Sequence, residues 1–205
     1  MISKVQSKEL RNAAVVAFRP KFSHLERGIL TWAILDPGDK VLDACTHNGL
    51  MLSYLHQHKE CEVCGISPDM QNVKHSRTQL QHADIVYART DDIPWKENSF
   101  DVVFLRKDMK GNELLRTVLK EVLRVLKPGG QFLLGTAYYP APIRQILNAM
   151  VADREEPQQS HYDKKTTMME TLKQAGYEQV SWHQAGLFGG VVIGWKPTDL
   201  LPEML

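Results

Sequence analysis

The stretch Val41-Leu42-Asp43-Ala44-Cys45-Thr46-His47-Asn48-Gly49 decides the fold, because it joins a short apolar run to a turn that opens a helical pattern. An apolar strand followed at once by such a turn is typical of the first strand–helix unit of a nucleotide-binding sheet. Turns of that kind usually carry several glycines, whereas this one carries only Gly49. The stretch therefore predicts an α/β fold and leaves open whether the usual ligand is bound.

Strand-like and helix-like patterns alternate on both sides of this stretch. Before it, one helix is predicted within residues 4–18, and a second begins after Ser23, which has capping-box spacing with Glu26. After it, the apolar runs predict strands at 40–44, 61–66, 85–88, 100–105 and 131–135. The segments between them predict helices at 50–58, 69–81 and 112–126, the last one stopped by Pro128-Gly129-Gly130. This order predicts a parallel sheet with helices on both faces.

The pattern changes after residue 136. Helices are predicted at 143–152 and 165–175, and strands at 178–183 and 191–195. The last two strands are too closely linked for a helical crossover, so they predict an antiparallel hairpin. The whole chain is expected to form one domain over residues 1–205: N-terminal helices (1–37), a nucleotide-binding half (38–136), and a substrate region with the C-terminal hairpin (137–205).

Composition narrows the range of functions. The chain has 205 residues, of which 43% are hydrophobic, and its 25 basic and 24 acidic residues leave a formal net charge of +1. No broad basic field is available for phosphate backbones, so nucleic acid is not an expected partner. No run approaches the roughly 20 apolar residues of a membrane-spanning helix, and no signal-peptide core is present at the N-terminus. Three cysteines do not suggest a disulfide scaffold, and a soluble, cytoplasmic protein is expected.

Several longer motifs resemble one known family. They are VLDACTHNG at 41–49, CGISPDM at 64–70 followed by Arg77, DDIPWKENSFDVV at 91–103, and LKEVLRVLKPGGQFLL at 119–134. KQAGYEQV and GGVVIGWKP, near the C-terminal end, are similar to the family's closing hairpin. Together they resemble the class I S-adenosylmethionine-dependent methyltransferases, especially the quinone-biosynthesis group. The resemblance implies a Rossmann-like, seven-stranded, mostly parallel sheet with a C-terminal antiparallel hairpin, S-adenosylmethionine as cofactor, and a small-molecule methyl acceptor.

The resemblance also implies a cofactor site, in which several positions depart from the family pattern. The three glycine positions of the first turn hold Cys45, His47 and Gly49, so we expect crowding and backbone strain at the first two. The acid that binds the ribose aligns with Ser67, and Asp69 follows two positions later. The implied cofactor-binding residues are Asp43, Ala44, Cys45, His47, Gly49, Ser67, Asp69, Asp91, Asp92 and Ile93, with Arg89 at the position of the acid expected near the adenine amine.

Residues for the methyl acceptor are sought after the fourth strand and in the region after residue 136. Arg106, Lys107 and Asp108 lie just past that strand, at the carboxyl edge where ligands of such sheets bind. Tyr138, Tyr139 and His161 are candidate bases or substrate contacts. We expect Arg106, Tyr138 and Tyr139 to lie nearest the acceptor, and no catalytic base is identified.

The run from His56 to Cys64 superficially resembles a metal-binding sequence. Zinc needs four ligands that converge on one point. Cys61 and Cys64 are an odd number of residues apart in a strand and so point to opposite faces. Buried strand cysteines are therefore predicted, and no metal site. Trp95 is interpreted as a packing residue.

Three functions remain open from the sequence. The first is a small-molecule methyltransferase that uses S-adenosylmethionine. The second is a catalytically silent methyltransferase-like subunit that acts through a protein partner, or a homodimer. The third is an enzyme for another nucleoside or an unrelated small molecule.

Overall fold

A computed structural model of the protein describes residues 22–106, 112–137, 164–186 and 189–198. The predicted helices at 4–18 and 143–152 lie outside these residues. In chain order the described elements are α1 (His24–Trp32), β1 (Lys40–Asp43), α2 (Leu50–Lys59), β2 (Glu62–Ser67), α3 (Met70–Gln79), β3 (Asp84–Tyr87), β4 (Phe100–Arg106), α4 (Asn112–Val125), β5 (Leu126–Ala137), α5 (Lys164–Gln174), β6 (Glu178–Gln184) and β7 (Gly189–Trp195).

The strands form one sheet in the order β3-β2-β1-β4-β5-β7-β6. Strands β1 to β5 pair in parallel, while β7 is antiparallel to both of its neighbours, β5 and β6. The predicted seven-stranded, mostly parallel sheet with a C-terminal antiparallel hairpin is therefore confirmed. The strand order reverses direction at β1, and this is the position at which ligands of open α/β sheets bind.

Helices cover both faces of the sheet because successive side chains of each buried strand point to opposite sides. In β1, Val41 belongs to the core under α1, α2 and α3, whereas Leu42 belongs to the core under α4 and α5. In β4, Val102 and Val103 divide between the two cores in the same way. Near-continuous apolar runs in the strands are thus explained by two buried faces.

Helix α1 begins with the predicted capping box. The Ser23 amide donates to Glu26 Oε2 at 2.7 Å, and the Glu26 amide donates to Ser23 Oγ at 3.2 Å. This helix packs on β5 and β7. Gly28 allows the close approach, because a Cβ at that position would lie 2.6 Å from Cβ of Ala185.

Strand β5 differs from its prediction. Helix α4 does end before Pro128-Gly129-Gly130, but β5 begins at Leu126 rather than at residue 131. Phe100 pairs with Leu126 and Val102 pairs with Gln131, so the proline–glycine segment forms a bulge inside the strand. The Gly129 amide donates to the Lys196 carbonyl at 2.9 Å and keeps this bulge attached to the chain after β7.

Two further predictions from the sequence are confirmed by the packing. Cys61 and Cys64 are both buried and lie in the two different cores, on opposite sides of the sheet. Trp95 packs edge-on against Phe100, with ring centroids 5.4 Å apart. Among the described helices, none is both long and apolar enough to cross a membrane.

Candidate functional site

The loops that follow β1, β2 and β3 meet at one edge of the sheet, where β4 also ends. The register pairs Asp43 with Gly65 and with Phe104, and Ser67 with Tyr87, so the carboxyl ends of these parallel strands lie side by side. Most of the residues that the sequence assigns to cofactor binding follow these ends. The structure therefore brings them to one place.

Asp43 is fully buried at the end of β1, and both of its carboxylate oxygens are used within the protein. Oδ1 accepts from the Cys45 amide at 3.2 Å, and Oδ2 accepts from Arg106 Nη2 at 2.7 Å. The next residue, Ala44, donates its amide to the Phe104 carbonyl at 2.8 Å and accepts from Thr90 Oγ1 at 3.1 Å. Asp43 thus holds the shape of the first turn.

The first turn does not carry the strain that the sequence predicts at Cys45 and His47. Neither residue has a positive φ, and Cys45 is only 7% exposed, packed in the core under α4, while His47 is exposed. Only Gly49, with φ of 68°, adopts the left-handed conformation, as the residue that caps the start of α2. The expectation of strain is wrong because the turn needs glycine at one position, and glycine is present there.

Ser67, at the end of β2, and Asp69, two residues later, occupy different environments. Ser67 is buried, and its Oγ accepts from the Asp69 amide at 3.3 Å. Asp69 is exposed and caps α3, with Oδ1 accepting from the Gln71 amide at 2.8 Å. A carboxylate at the mouth of the site is therefore supplied by Asp69, and Ser67 supports its loop.

The loop after β3 contains a tight ion pair. Arg89 donates through Nε and Nη2 to the two carboxylate oxygens of Asp91, at 2.8 and 2.6 Å. This hydrogen bond and the charge of Asp91 raise the pKa of Arg89. The Arg89 side chain is 71% exposed, and Asp92 beside it is exposed as well. The pair places the guanidinium of Arg89, the residue at the position of the acid expected near the adenine amine, on the carboxylate of Asp91 that follows it in the loop.

Ile93, the last of the cofactor-binding residues in the resemblance, is held by α4. Its amide donates to Glu121 Oε1 at 2.9 Å, and its carbonyl accepts from Arg124 Nη2 at 3.0 Å. The hydrogen bond from Arg124 lowers the pKa of the Glu121 carboxyl, and the same bond raises the pKa of Arg124. A charged pair on α4 therefore fixes the end of this loop, with Ile93 buried in the core.

Arg106 has a different position from the one expected of a substrate contact. Its side chain is only 11% exposed and is paired with Glu26 of α1 and with Asp43. Burial acts to lower the pKa of Arg106, but Asp43 and Glu26 outweigh it, and the pKa lies above its ordinary value. These two partners make Arg106 a buried ion-pair residue at the sheet edge, and its contact with a methyl acceptor stays a prediction. Its Nε is buried and has no hydrogen-bond partner among the described residues.

The other residues proposed for the acceptor are not part of the described chain. Lys107, Asp108, Tyr138, Tyr139 and His161 all lie outside the described residues. Their roles stay predictions.

Three residues at the site are missed by the sequence analysis as functional groups. Glu26 is recognised only as a helix cap, although it also reaches Arg106. Thr90 and Arg124 support the loops at Ala44 and Ile93 through hydrogen bonds. The only signal in the sequence is the three-residue spacing of Glu121 and Arg124 on one helix.

The described residues contain no group of three or more metal-ligating side chains. The chemistry that this sheet edge offers is thus that of backbone amides, a few carboxylates and one buried guanidinium. Such a set binds and orients a polar ligand.

Comparison with known proteins identifies the fold and its relatives. A sequence profile described as "Methyltransferase domain" matches residues 42–134. Over 160 residues the chain is 28% identical to the ubiquinone/menaquinone biosynthesis C-methyltransferase UbiE of Nitrobacter hamburgensis, covering 65% of this chain and 62% of the relative. It is 31% identical to the demethylmenaquinone methyltransferase of Oceanobacillus iheyensis, over 46% of this chain and 42% of the relative. The chain thus spans less than two thirds of the length of these relatives.

Solved structures share the same architecture. An S-adenosylmethionine-dependent methyltransferase from Aquifex aeolicus superposes with a TM-score of 0.65 at 19% identity, covering 90% of this chain and 98% of that one. The complex between the Haloferax volcanii Trm112 methyltransferase activator and the putative methyltransferase gives a TM-score of 0.70 at 18% identity, over 96% and 99%. At these identities the likeness establishes the fold.

Proposed function

We propose that the chain is a class I methyltransferase of the quinone-biosynthesis type, which binds S-adenosylmethionine and transfers its methyl group to a small molecule; the match of residues 42–134 to the methyltransferase profile and the similarity to quinone-biosynthesis relatives support this. The observation that carries this proposal is the convergence of three loops at the carboxyl edge of β1, β2 and β3. Gly49 opens α2 there in a left-handed conformation, and the acids Asp69 and Asp92 are exposed after β2 and β3.

The residues present at this edge fit the cofactor. Its ribose hydroxyls and adenine amine are hydrogen-bond donors, and the exposed carboxylates of Asp69 and Asp92 and the half-buried carboxylate of Asp91 are acceptors. Asp43 holds the backbone of the first turn in shape. The turn is therefore preorganised, and a ligand loses little binding free energy to ordering it. Cys45 does not oppose this arrangement, since its side chain packs into the core.

The chain's own work in the reaction is then binding and alignment. When bound, S-adenosylmethionine supplies a methyl group that is already activated by its sulfonium. The protein needs to hold the acceptor atom in line with that methyl group and to keep the site closed to water. A general base is required only for an acceptor that must lose a proton, and Tyr138, Tyr139 and His161 stay the predicted candidates.

The acceptor is proposed to be a small organic molecule. Several relatives carry quinone-biosynthesis names, and their acceptors are small molecules by those names. The described part of the site adds no basic groove for a polymer, because its one buried cation, Arg106, is paired with Glu26 and Asp43.

A second function, a methyltransferase-like subunit without cofactor, is favoured by one specific observation. Arg89 stands at the position of the acid expected near the adenine amine, and it occupies both carboxylate oxygens of Asp91, so the nearby carboxylate is neutralised by the protein itself. Exposed ion pairs contribute little to stability because water screens them. A ligand that offers Asp91 a better-placed donor therefore displaces Arg89. For this reason the methyltransferase that binds S-adenosylmethionine is the better-supported function.

Urea unfolding with and without ligand distinguishes the functions. S-adenosylmethionine or its demethylated product, at 100 times its dissociation constant, should raise the free energy of unfolding by about 2.7 kcal/mol. Stabilisation by adenosine alone, with no further effect of the complete cofactor, would support a different nucleoside ligand. No stabilisation by any of the three at millimolar concentration would exclude the methyltransferase and leave the silent subunit or an enzyme for an unrelated small molecule.

A matched pair of variants locates the binding site. Asp91→Asn should weaken binding of the demethylated product about tenfold or more, because a hydrogen bond to a charged group contributes about 1.5–3 kcal/mol. Asp84→Asn, at the exposed start of β3 and thus at the strand end opposite to the loop of Asp91, should bind like the wild type. Arg89→Ala should bind more tightly, because it removes the competing cation. Equal binding by all three variants would place the ligand elsewhere.

A further inference from the structure

A continuous chain of hydrogen bonds joins the start of α1 to the first turn of the cofactor site. The Ser23 amide donates to Glu26 Oε2, and Glu26 Oε1 accepts from Arg106 Nη1. Arg106 Nη2 donates to Asp43 Oδ2, and Asp43 Oδ1 accepts from the Cys45 amide. We call this chain of groups, from Glu26 through Arg106 to Asp43, the edge relay.

The edge relay is buried, which makes each of its members depend on the others. The side chains of Arg106 and Glu26 are 11% exposed, and that of Asp43 is 1% exposed. One guanidinium serves two carboxylates, so the loss of Arg106 would leave both carboxylates without a cation in a place that water reaches poorly. Breaking a buried pair in this way is strongly destabilising because the remaining charge is uncompensated.

The two ends of the relay belong to different parts of the molecule. Asp43 lies within the segment that matches the methyltransferase profile, whereas Glu26 lies on α1, before that segment. Helix α1 itself packs mainly on β5 and β7 and less extensively on β4. Arg106, at the end of β4, is the residue that connects Glu26 of α1 to Asp43 and the turn at Cys45.

We propose that Glu26 is a positioning residue of the cofactor site, acting through Arg106 and Asp43 on the first turn. Both carboxylate oxygens of Asp43 accept hydrogen bonds from within the protein. The orientation of this side chain is therefore set by Arg106 on one side and by the Cys45 amide on the other. Glu26, fixed by its own capping box, holds the guanidinium at the far end. This proposal rests on the proposed binding of S-adenosylmethionine, and it assigns a part of that site to α1.

The test compares two variants, in each of which a buried or half-buried carboxylate is replaced by the amide of the same size. Glu26→Gln keeps the size of the side chain and an oxygen for the Ser23 amide, but removes the charge that holds Arg106. Asp101→Asn is the matched control, because Asp101 also accepts from a backbone amide, that of Lys40 at 2.9 Å, and pairs with Lys127 at 2.8 Å. It lies at the start of β4, at the opposite edge of the sheet.

Two measurements are made on the full chain. Calorimetric titration with the demethylated cofactor should show about tenfold or weaker binding for Glu26→Gln and unchanged binding for Asp101→Asn. Hydrogen exchange without ligand should show faster exchange of the Cys45 amide in Glu26→Gln alone. In an Arg106→Lys background, Glu26→Gln should weaken binding less than it does in the wild type, because the two residues act as one unit.

The outcomes separate this inference from the proposed function. If the wild type binds the ligand and Glu26→Gln binds equally well, the positioning role is wrong while the methyltransferase proposal stands. Equal weakening by Glu26→Gln and Asp101→Asn would also overturn it, since general destabilisation would then suffice. Unchanged exchange of the Cys45 amide overturns it without any ligand. If the wild type binds no ligand, both proposals fail.

Discussion

At the scale of single residues, the first turn shows which glycine a fold of this kind needs. Cys45 and His47 stand where the family carries glycines, yet both keep an ordinary backbone conformation. Gly49 alone is left-handed, and its Cα faces Leu80 and Ser76 of the neighbouring helix region. The requirement at this position is therefore double, for a positive φ and for the absence of a side chain.

Gly49→Ala should lower the free energy of unfolding by about 1–3 kcal/mol, through backbone strain together with overpacking. The added Cβ would lie 2.6 Å from Leu80 Cδ1. Gly38→Ala is the control, because Gly38 has φ of 87° but no atom within 4 Å of a new Cβ. Urea titrations of both variants measure the difference. Equal losses would mean that Leu80 moves aside at no cost and that strain alone matters.

The residue scale also shows where prediction from sequence stops. The role of Asp43 as the holder of the turn is predictable, because its partner amide lies two residues away. The partners of Arg106 are not, since Glu26 and Asp43 are 80 and 63 residues distant in the chain. Nothing local distinguishes an arginine that will be buried between two acids from one that faces a ligand.

At the scale of elements, the boundaries that depend on local chemistry are predicted well. Ser23 and Glu26 start α1 as their spacing indicates, and Asp69 caps α3. The start of β5 is not predicted, because a proline–glycine segment normally ends a strand, and here a bulge paired to β4 and to the chain after β7 accommodates it. Long-range pairing thus overrides the local signal.

Ser23→Ala should lower the free energy of unfolding by about 1 kcal/mol, because it removes the acceptor for the Glu26 amide at the start of α1. Thr78→Ala is a suitable control: Thr78 is exposed within α3, and its hydroxyl only donates back to the Lys74 carbonyl. Alanine is the better helix former there, so this variant should be neutral or slightly stabilised. Circular dichroism during urea unfolding measures both. A neutral Ser23→Ala would show that α1 is held by packing alone.

At the scale of the whole molecule, two buried thiols connect global stability to pH. Burial raises the pKa of Cys61 from 9.0 to about 12 and that of Cys64 from 9.0 to about 11. Above pH 9 the unfolded chain loses these protons while the folded chain keeps them. The folded state then binds more protons than the unfolded state, so stability falls as pH rises from about 9 towards 11.

Each thiol should contribute a loss of up to about 1.4 kcal/mol per pH unit in that window. The double variant Cys61→Ala/Cys64→Ala should show a shallower decline of unfolding free energy between pH 9 and 11. Its profile should run parallel to that of the wild type between pH 6 and 8, where the thiols are protonated in both states. Urea unfolding under reducing conditions measures both profiles, and identical slopes above pH 9 would contradict the assignment.

The position of β7 has a consequence for biosynthesis. Strand β6 leaves the ribosome before β7, yet β7 separates it from β5 in the finished sheet. A nascent chain that has emerged only as far as β6 therefore exposes the apolar edge of β5 with no partner. This unpaired edge can associate with other chains, as exposed strand edges do. Chaperone protection of the polypeptide is needed most in the interval before Trp195 emerges.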